Sequence, residues 1–284
     1  MLEAFDTFWS IYSNLVLTLG TSSLLALSIY LTLSCGMLAM ANAAFMGIGA
    51  YTSALLTMQA GWPYPAVLLA GAAAPAAVAY LIGKPTLRLS GVYLAMATLA
   101  FGEVVRIAIL NTEAWTGGAL GLNGIPAETQ PWHVALVLLL VVAVLERLRR
   151  SRTGRAFEAI KEDETAAGLM GIDVAAHKLA AFVMGAAIAG LAGTLNAHLT
   201  FFIGPNEFGF DRGVEILTMT ILGGIQGLMG PVVGAFIVTL LPEVLRGLQD
   251  WRLMANGVIL VLMVLFLPRG LWDPARLRRL LGRS

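Results

Sequence analysis

Residues 162–173 read EDETAAGLMGID, a pattern suited to recognition rather than bond-breaking. Three consecutive acids precede Ala166 and Ala167, whose small side chains let another protein approach closely, and Gly171 permits the chain to reverse. Asp173 is then placed to cap the next helix. In the preceding RLRRSRTGRAFEAIKED, Gly154 is expected to break one helix, and Arg155 to Asp163 to form a short amphipathic helix with Ala156, Phe157 and Ile160 on one side. Arg155, Glu158, Glu164, Ala166, Ala167 and Gly171 together make a compact docking element; a merely solvated charged loop is the plainer alternative.

A second group could handle a solute. Glu103 and Arg106 are three apart, hence on one helical face. They either line a path and meet a zwitterion or form a structural pair that lowers the cost of both charges in a membrane. Asn42, Asn196, His198 and Glu215 are buried polar candidates, for substrate contact or for hydrogen bonds between helices. The run VEILTMTILGGIQGLMGPVVGAFIVTLL is interrupted by Gly227, Gly230 and Pro231. Non-helical backbone at membrane depth belongs where protein buries it or water reaches it. Asn42, Glu103, Arg106, Glu215, Gly227, Gly230 and Pro231 are therefore the candidate translocation path. Gly185, Ala189, Gly193 and Ala197 form a small-residue ladder for tight helix crossing, within the chain or with a second subunit.

The elements that must position these residues are membrane helices. Of 284 residues, 58 % are hydrophobic and 12 % charged, against roughly 25 % charged in soluble domains. Apolar runs recur without a long polar interval, so residues 1–284 read as one integral membrane domain with a cytoplasmic loop at 149–176. A span needs about 20 mainly apolar residues. The clear spans are 11–33, 36–58, 64–83, 91–110, 132–148, 177–198 and 253–268, with a broken or re-entrant segment near 213–241, giving an all-α polytopic bundle of about eight spans. Lys and Arg concentrate around 84–88, in the central loop and in the tail from Arg269 to Arg283. By the positive-inside rule these lie in the cytoplasm, which the tail satisfies only if 213–241 enters and returns. Lys178 is expected to snorkel near the start of its helix. The glycine-rich loop NTEAWTGGALGLNGIPAETQPW is expected to fold as an ordered turn with short helices. The N-terminus has no basic residue and lacks the positive region of a cleavable signal, so the first helix is expected to be retained. Cys35 reads as a small packing residue.

Enzymatic classes find no support. Gly83 and Lys84 are followed by Pro85, not by the hydroxyl residue of a nucleotide-binding loop. His133, His177 and His198 have no metal-ligand spacing, and no catalytic triad is evident. The chain is expected to carry no cofactor or metal, to bind no nucleic acid, and to draw energy from a partner or a gradient.

Glu164, Ala166, Ala167 and Gly171 resemble the cytoplasmic motif of ATP-binding-cassette importer membrane subunits, with Glu164 one place further from the alanines than usual. NAAFMGIGAYTSALL, RLSGVYLAMATLAFGEVVR, TGGALGLNGIP, GRAFEAIKEDETAAGLMGID, LGGIQGLMGPVVGA and FLPRG extend the resemblance to LivM-type permeases of branched-chain amino acid importers. The departures are GMLAMANAAF, where Met37, Ala39, Ala41 and Asn42 replace polar residues, a glycine and a histidine, and TGGALGL, where Ala119 and Leu120 replace polar residues. The resemblance implies a multi-pass permease in a bacterial or archaeal plasma membrane. It would pair with a second related permease, two ATPase subunits and a periplasmic or extracellular solute-binding protein, and import branched-chain or other hydrophobic amino acids. A gradient-driven transporter or channel for small polar or zwitterionic solutes stays open, as does a purely structural subunit.

Overall fold

The computed structural model describes residues 2–244 and Gly257; of the expected span 253–268 only Gly257 is described, and the basic tail lies outside the described residues. The first helix, α1 (Leu2–Ser34), carries an apolar stretch long enough to cross a membrane from Asn14 to Ser34. The chain then turns at Cys35 and Gly36 and stays non-helical to Ala41, where α2 (Asn42–Ala60) begins. This corrects the expected span at 36–58. An apolar run looks the same whether it is a helix or a buried irregular strand, and here Met37, Ala39 and Ala41 are fully enclosed by neighbouring helices.

α3 (Tyr64–Thr86) and α4 (Gly91–Asn111) are the next two apolar helices. Between α4 and the following span lie α5 (Glu113–Thr116), a 3-10 turn at Gly118–Leu120, and the short strand β1 (Leu122–Asn123), so the expected ordered loop is present. α6 (Pro131–Arg150), α7 (Arg152–Glu162), α8 (Glu164–Leu169) and α9 (Val174–Thr200) follow. β2 (Phe202–Ile203) pairs antiparallel with β1, tying the loop after α9 to the loop after α4. A 3-10 turn at Pro205–Phe208 leads into α10 (Phe210–Gly223) and α11 (Met229–Val244).

α1, α3, α4, α6 and α9 have the length and apolarity to cross a membrane. α2 does not meet that apolarity because it faces protein rather than lipid: α9, α3 and α4 surround it, and most of its side chains are buried. Its packing on α9 is backbone against backbone. A Cβ at Gly193 would overlap the Met46 carbonyl, and one at Gly190 the Gly71 carbonyl of α3. The ladder on α9 therefore serves contacts inside this chain, with Gly185 set against the Ser28 carbonyl of α1.

The broken segment resolves into two helices joined at Gly224–Leu228. At about 1.5 Å per residue, α10 is roughly 21 Å long, less than a hydrocarbon core of about 30 Å, and α11 runs from Met229 to Val244, the last described residue before Gly257. They pack against one another and against α1. A Cβ at Gly223 would meet the Gly230 carbonyl, and one at Gly234 the Met219 carbonyl, so the two backbones lie in direct contact. The segment returns on itself, as the charge rule requires.

Candidate functional site

Apart from Asn42 and His198, the candidate residues separate to the two ends of the α10–α11 hairpin. At its open end, Met46, Asn196, Asn206, Glu207, Asp211, Arg212 and Glu215 line a cavity of about 370 Å³, within the roughly 300–1,000 Å³ of small-molecule sites. Arg212 donates to Glu215 at 2.6 Å, and on α4 Arg106 donates to Glu103 at 2.8 Å. Arg106 also reaches Asn206 Oδ1 at 3.3 Å, which joins the α4 pair to the cavity wall. The expected pairing of Glu103 and Arg106 is thus formed, and Glu215 lines the cavity paired with Arg212. Around the two guanidinium groups stand four carboxylates, two of which, Glu207 and Asp211, have no ion-pair partner among the described residues. The local field suits an ammonium group, while the guanidinium faces suit a carboxylate.

Glu207 lies in the loop outside the spanning helices. Burial against the cavity wall pushes its carboxyl above the usual carboxylate range; Arg212 and a hydrogen bond to the Gly204 backbone pull the other way. Asn206, Glu207, Asp211 and Arg212 are absent from the sequence candidates, because 199–212 reads as an external connector. The signal was GPNEFGFDRG, three charges in a short glycine-rich stretch beside apolar runs.

Asn42 is not in this cavity. It is buried at the first turn of α2, and its Nδ2 donates to Ser28 Oγ at 2.7 Å. His198 meets Thr57 Oγ1 at 3.0 Å, another bond between helices. Just before Asn42, the Met40 N–H donates to Thr98 Oγ1 at 3.0 Å, satisfying non-helical backbone at the depth of the α4 middle. Gly227, Gly230 and Pro231 lie at the hairpin tip. There Gln226 and Gly227 line cavities with Arg149, Arg150, Glu158 and Lys161, at the basic end of the bundle.

The docking element occupies that same end. Ser151 ends α6 and caps α7 by accepting from the Gly154 N–H, so Ser151 is the helix break. Gly154 lies inside α7, where a Cβ would overlap the Leu148 carbonyl. Ala156, Phe157 and Ile160 face inward as their spacing predicts, and Arg155 and Glu158 face outward. Asp163 caps α8 through the N–H groups of Thr165 and Ala166, and Asp173 caps α9 through that of Ala176. Only one alanine faces out: Ala166 is exposed, whereas Ala167 is 3 % exposed and packs into the core. The outward apolar surface comes instead from Leu169 and Met170, at 85 % and 84 % exposure, beside Gly171 with its positive φ of 85°. Lys178 does not snorkel. It is buried, and its Nζ donates to Glu164 at 2.5 Å.

The model of the family described as branched-chain amino acid transport system / permease component matches residues 11–267. The chain belongs to this permease family. It is 33 % identical to the high-affinity branched-chain amino acid transport system permease protein LivM of Salmonella typhimurium and to that of Escherichia coli, over 92 % of this chain and 68 % of each relative. Likeness to the permease protein LivH of Escherichia coli is 32 % over 49 % of this chain and 45 % of the relative. The autoinducer 2 import system permease protein LsrC is 28 % identical over 54 % of this chain and 49 % of its own length. No solved structure matches. This permease is thus a multi-pass membrane protein with a charged cavity at one end of its hairpin and, at the other, the exposed α8 segment that the sequence marks as a candidate for docking.

Proposed function

We propose that this permease is a membrane-spanning subunit of an ATP-driven importer for branched-chain or other hydrophobic amino acids, set in a bacterial or archaeal plasma membrane. Its partners would be a second related permease, two ATPase subunits and an external solute-binding protein. The observation that carries this reading is the likeness to LivM along 92 % of the chain.

The geometry supplies a mechanism consistent with it. An amino acid released by the binding protein enters the cavity at Asn206 to Glu215 and Glu103–Arg106, where carboxylates and guanidinium groups match the two ends of a zwitterion. About 20 Å away, along α10, the glycine-lined tip at Gly227, Gly230 and Pro231 closes the basic end. ATPase closure moves the docking element, and the cavity opens to one side and then the other.

Reconstitution of the chain with those partners in liposomes tests the reading. Uptake of labelled leucine is expected only with ATP inside and binding protein outside. Uptake by this chain alone down a gradient would overturn it in favour of a secondary transporter or channel.

A further inference from the structure

The buried cation Lys178 has no part in the scheme above, and its position gives it one. It lies in the second turn of α9, 6 % exposed. An ammonium at a cytoplasmic helix end ordinarily extends along its stem into water, and burial of the charge costs stability unless a partner neutralises it. Here the head turns back to Glu164 Oε2, its one ion-pair partner among the described residues. Glu164 opens α8, whose exposed Leu169 and Met170 form the docking tip. The nearby Asp173 carboxylate is already committed to the Ala176 N–H. Among the described residues every other polar link holding α8 is local: Asp163 accepts from Thr165 and Ala166, and the Asp163 carbonyl accepts from Ala167.

We infer that Glu164 and Lys178 form a latch that carries the motion of the docking tip into α9, so that both are positioning residues for coupling rather than contacts to the ATPase. α9 is the helix that matters for this, since it packs against α1, α2 and α3 together. Apart from the buried methyl of Ala167, α8 lies at the surface, and without the latch less of its movement under a partner would reach α9. The inference rests on the ATP-coupled reading of this permease.

The full complex in proteoliposomes tests it, with solute imported per ATP hydrolysed and ATPase copurification as separate readouts. Glu164→Ala and Lys178→Met are each expected to accumulate in the membrane and retain the ATPase, while import per ATP falls about tenfold or more. The exchange Glu164→Lys with Lys178→Glu is expected to recover a large part of it, which a loss of general packing would not do. Unchanged import per ATP in Glu164→Ala overturns the latch. So does loss of the ATPase in Glu164→Ala with retention in Lys178→Met, which makes Glu164 a docking contact. If one of the two fails to accumulate, the other decides; Lys178→Met is the safer, because it strands no buried charge and Glu164 is half-exposed. Failure of the ATPase to copurify with the unaltered chain is a separate result, and it removes the ATP-coupled reading itself.

Discussion

Arg106 holds two partners at once, Glu103 on its own helix and Asn206 across the cavity wall. Arg106→Gln keeps much of the side chain's bulk but removes the charge, leaving Glu103 unpaired. Uptake of labelled amino acid by the reconstituted complex is expected to fall about tenfold, equivalent to ~1.4 kcal/mol of lost interaction, with the ATPase still bound. Unchanged uptake would leave the pair structural. Glu207 tests the same cavity through pH. Its native carboxyl titrates above the usual range because burial disfavours the charged form. Its contribution to stability is therefore complete below the unfolded carboxylate value and is lost as pH rises through the raised native value. Glu207→Gln removes that loss, so the variant and the parent are expected to melt together in detergent near about pH 4, and the variant to melt higher near about pH 8. A reversed difference would mean that Arg212 outweighs burial.

At the scale of elements, the α10–α11 hairpin depends on backbones touching. Leucine at Gly234 has no room against the Met219 carbonyl, and overpacking of this kind costs roughly 1–3 kcal/mol. Gly234→Leu is expected to lower the melting temperature in detergent by several degrees and to reduce uptake. Phe236→Leu, on the exposed side of α11, is expected to change neither. Equal effects of the two would remove the close hairpin contact from the account. The non-helical stretch before α2 is the second irregular element, and it too is anchored at both ends. Gly36 leaves no space for a side chain against the Lys161 backbone of α7, and Met40 bonds to Thr98 of α4.

For the molecule as a whole, the bundle has a basic end, made by the last turn of α6 with α7, and an opposite end formed by the β1–β2 loops. The outward faces of α3, α4 and α6 carry Leu69, Leu81, Val92, Tyr93 and Leu139, large apolar groups suited to lipid or to another membrane subunit. The positive-inside rule places the basic end in the cytoplasm. With Cys35 replaced by alanine, Leu120→Cys in intact cells is expected to react with an impermeant maleimide, and Met170→Cys only after permeabilisation. Both side chains are more than four-fifths exposed, so labelling reports sidedness rather than burial. The opposite pattern would invert the topology.

Periodicity and charge bias were enough to read the helices α1, α3, α4, α6 and α9, the return at 213–241, the inward face of α7, the cap at Asp173 and the Glu103–Arg106 pair. All of these depend on neighbours within a few residues or on the lipid environment, which acts on each segment separately. What spacing could not reveal depends on contacts between segments distant in the chain. Whether 36–41 was helix or buried irregular backbone turned on contacts with distant segments, among them the bond of Met40 to Thr98. Which alanine of the docking element faced outward, and whether Lys178 reached water or Glu164, turned on how α8 settled against α9. The cavity needed α9, the turn at Pro205–Phe208 and α10 to bring Asn196, Asn206 and Glu215 together, with Arg106 of α4 bonded to Asn206 in its wall. A single sequence records which side chains prefer to leave lipid or water, but only the packed bundle decides which of them meet, because that choice belongs to surfaces that exist only after the helices assemble.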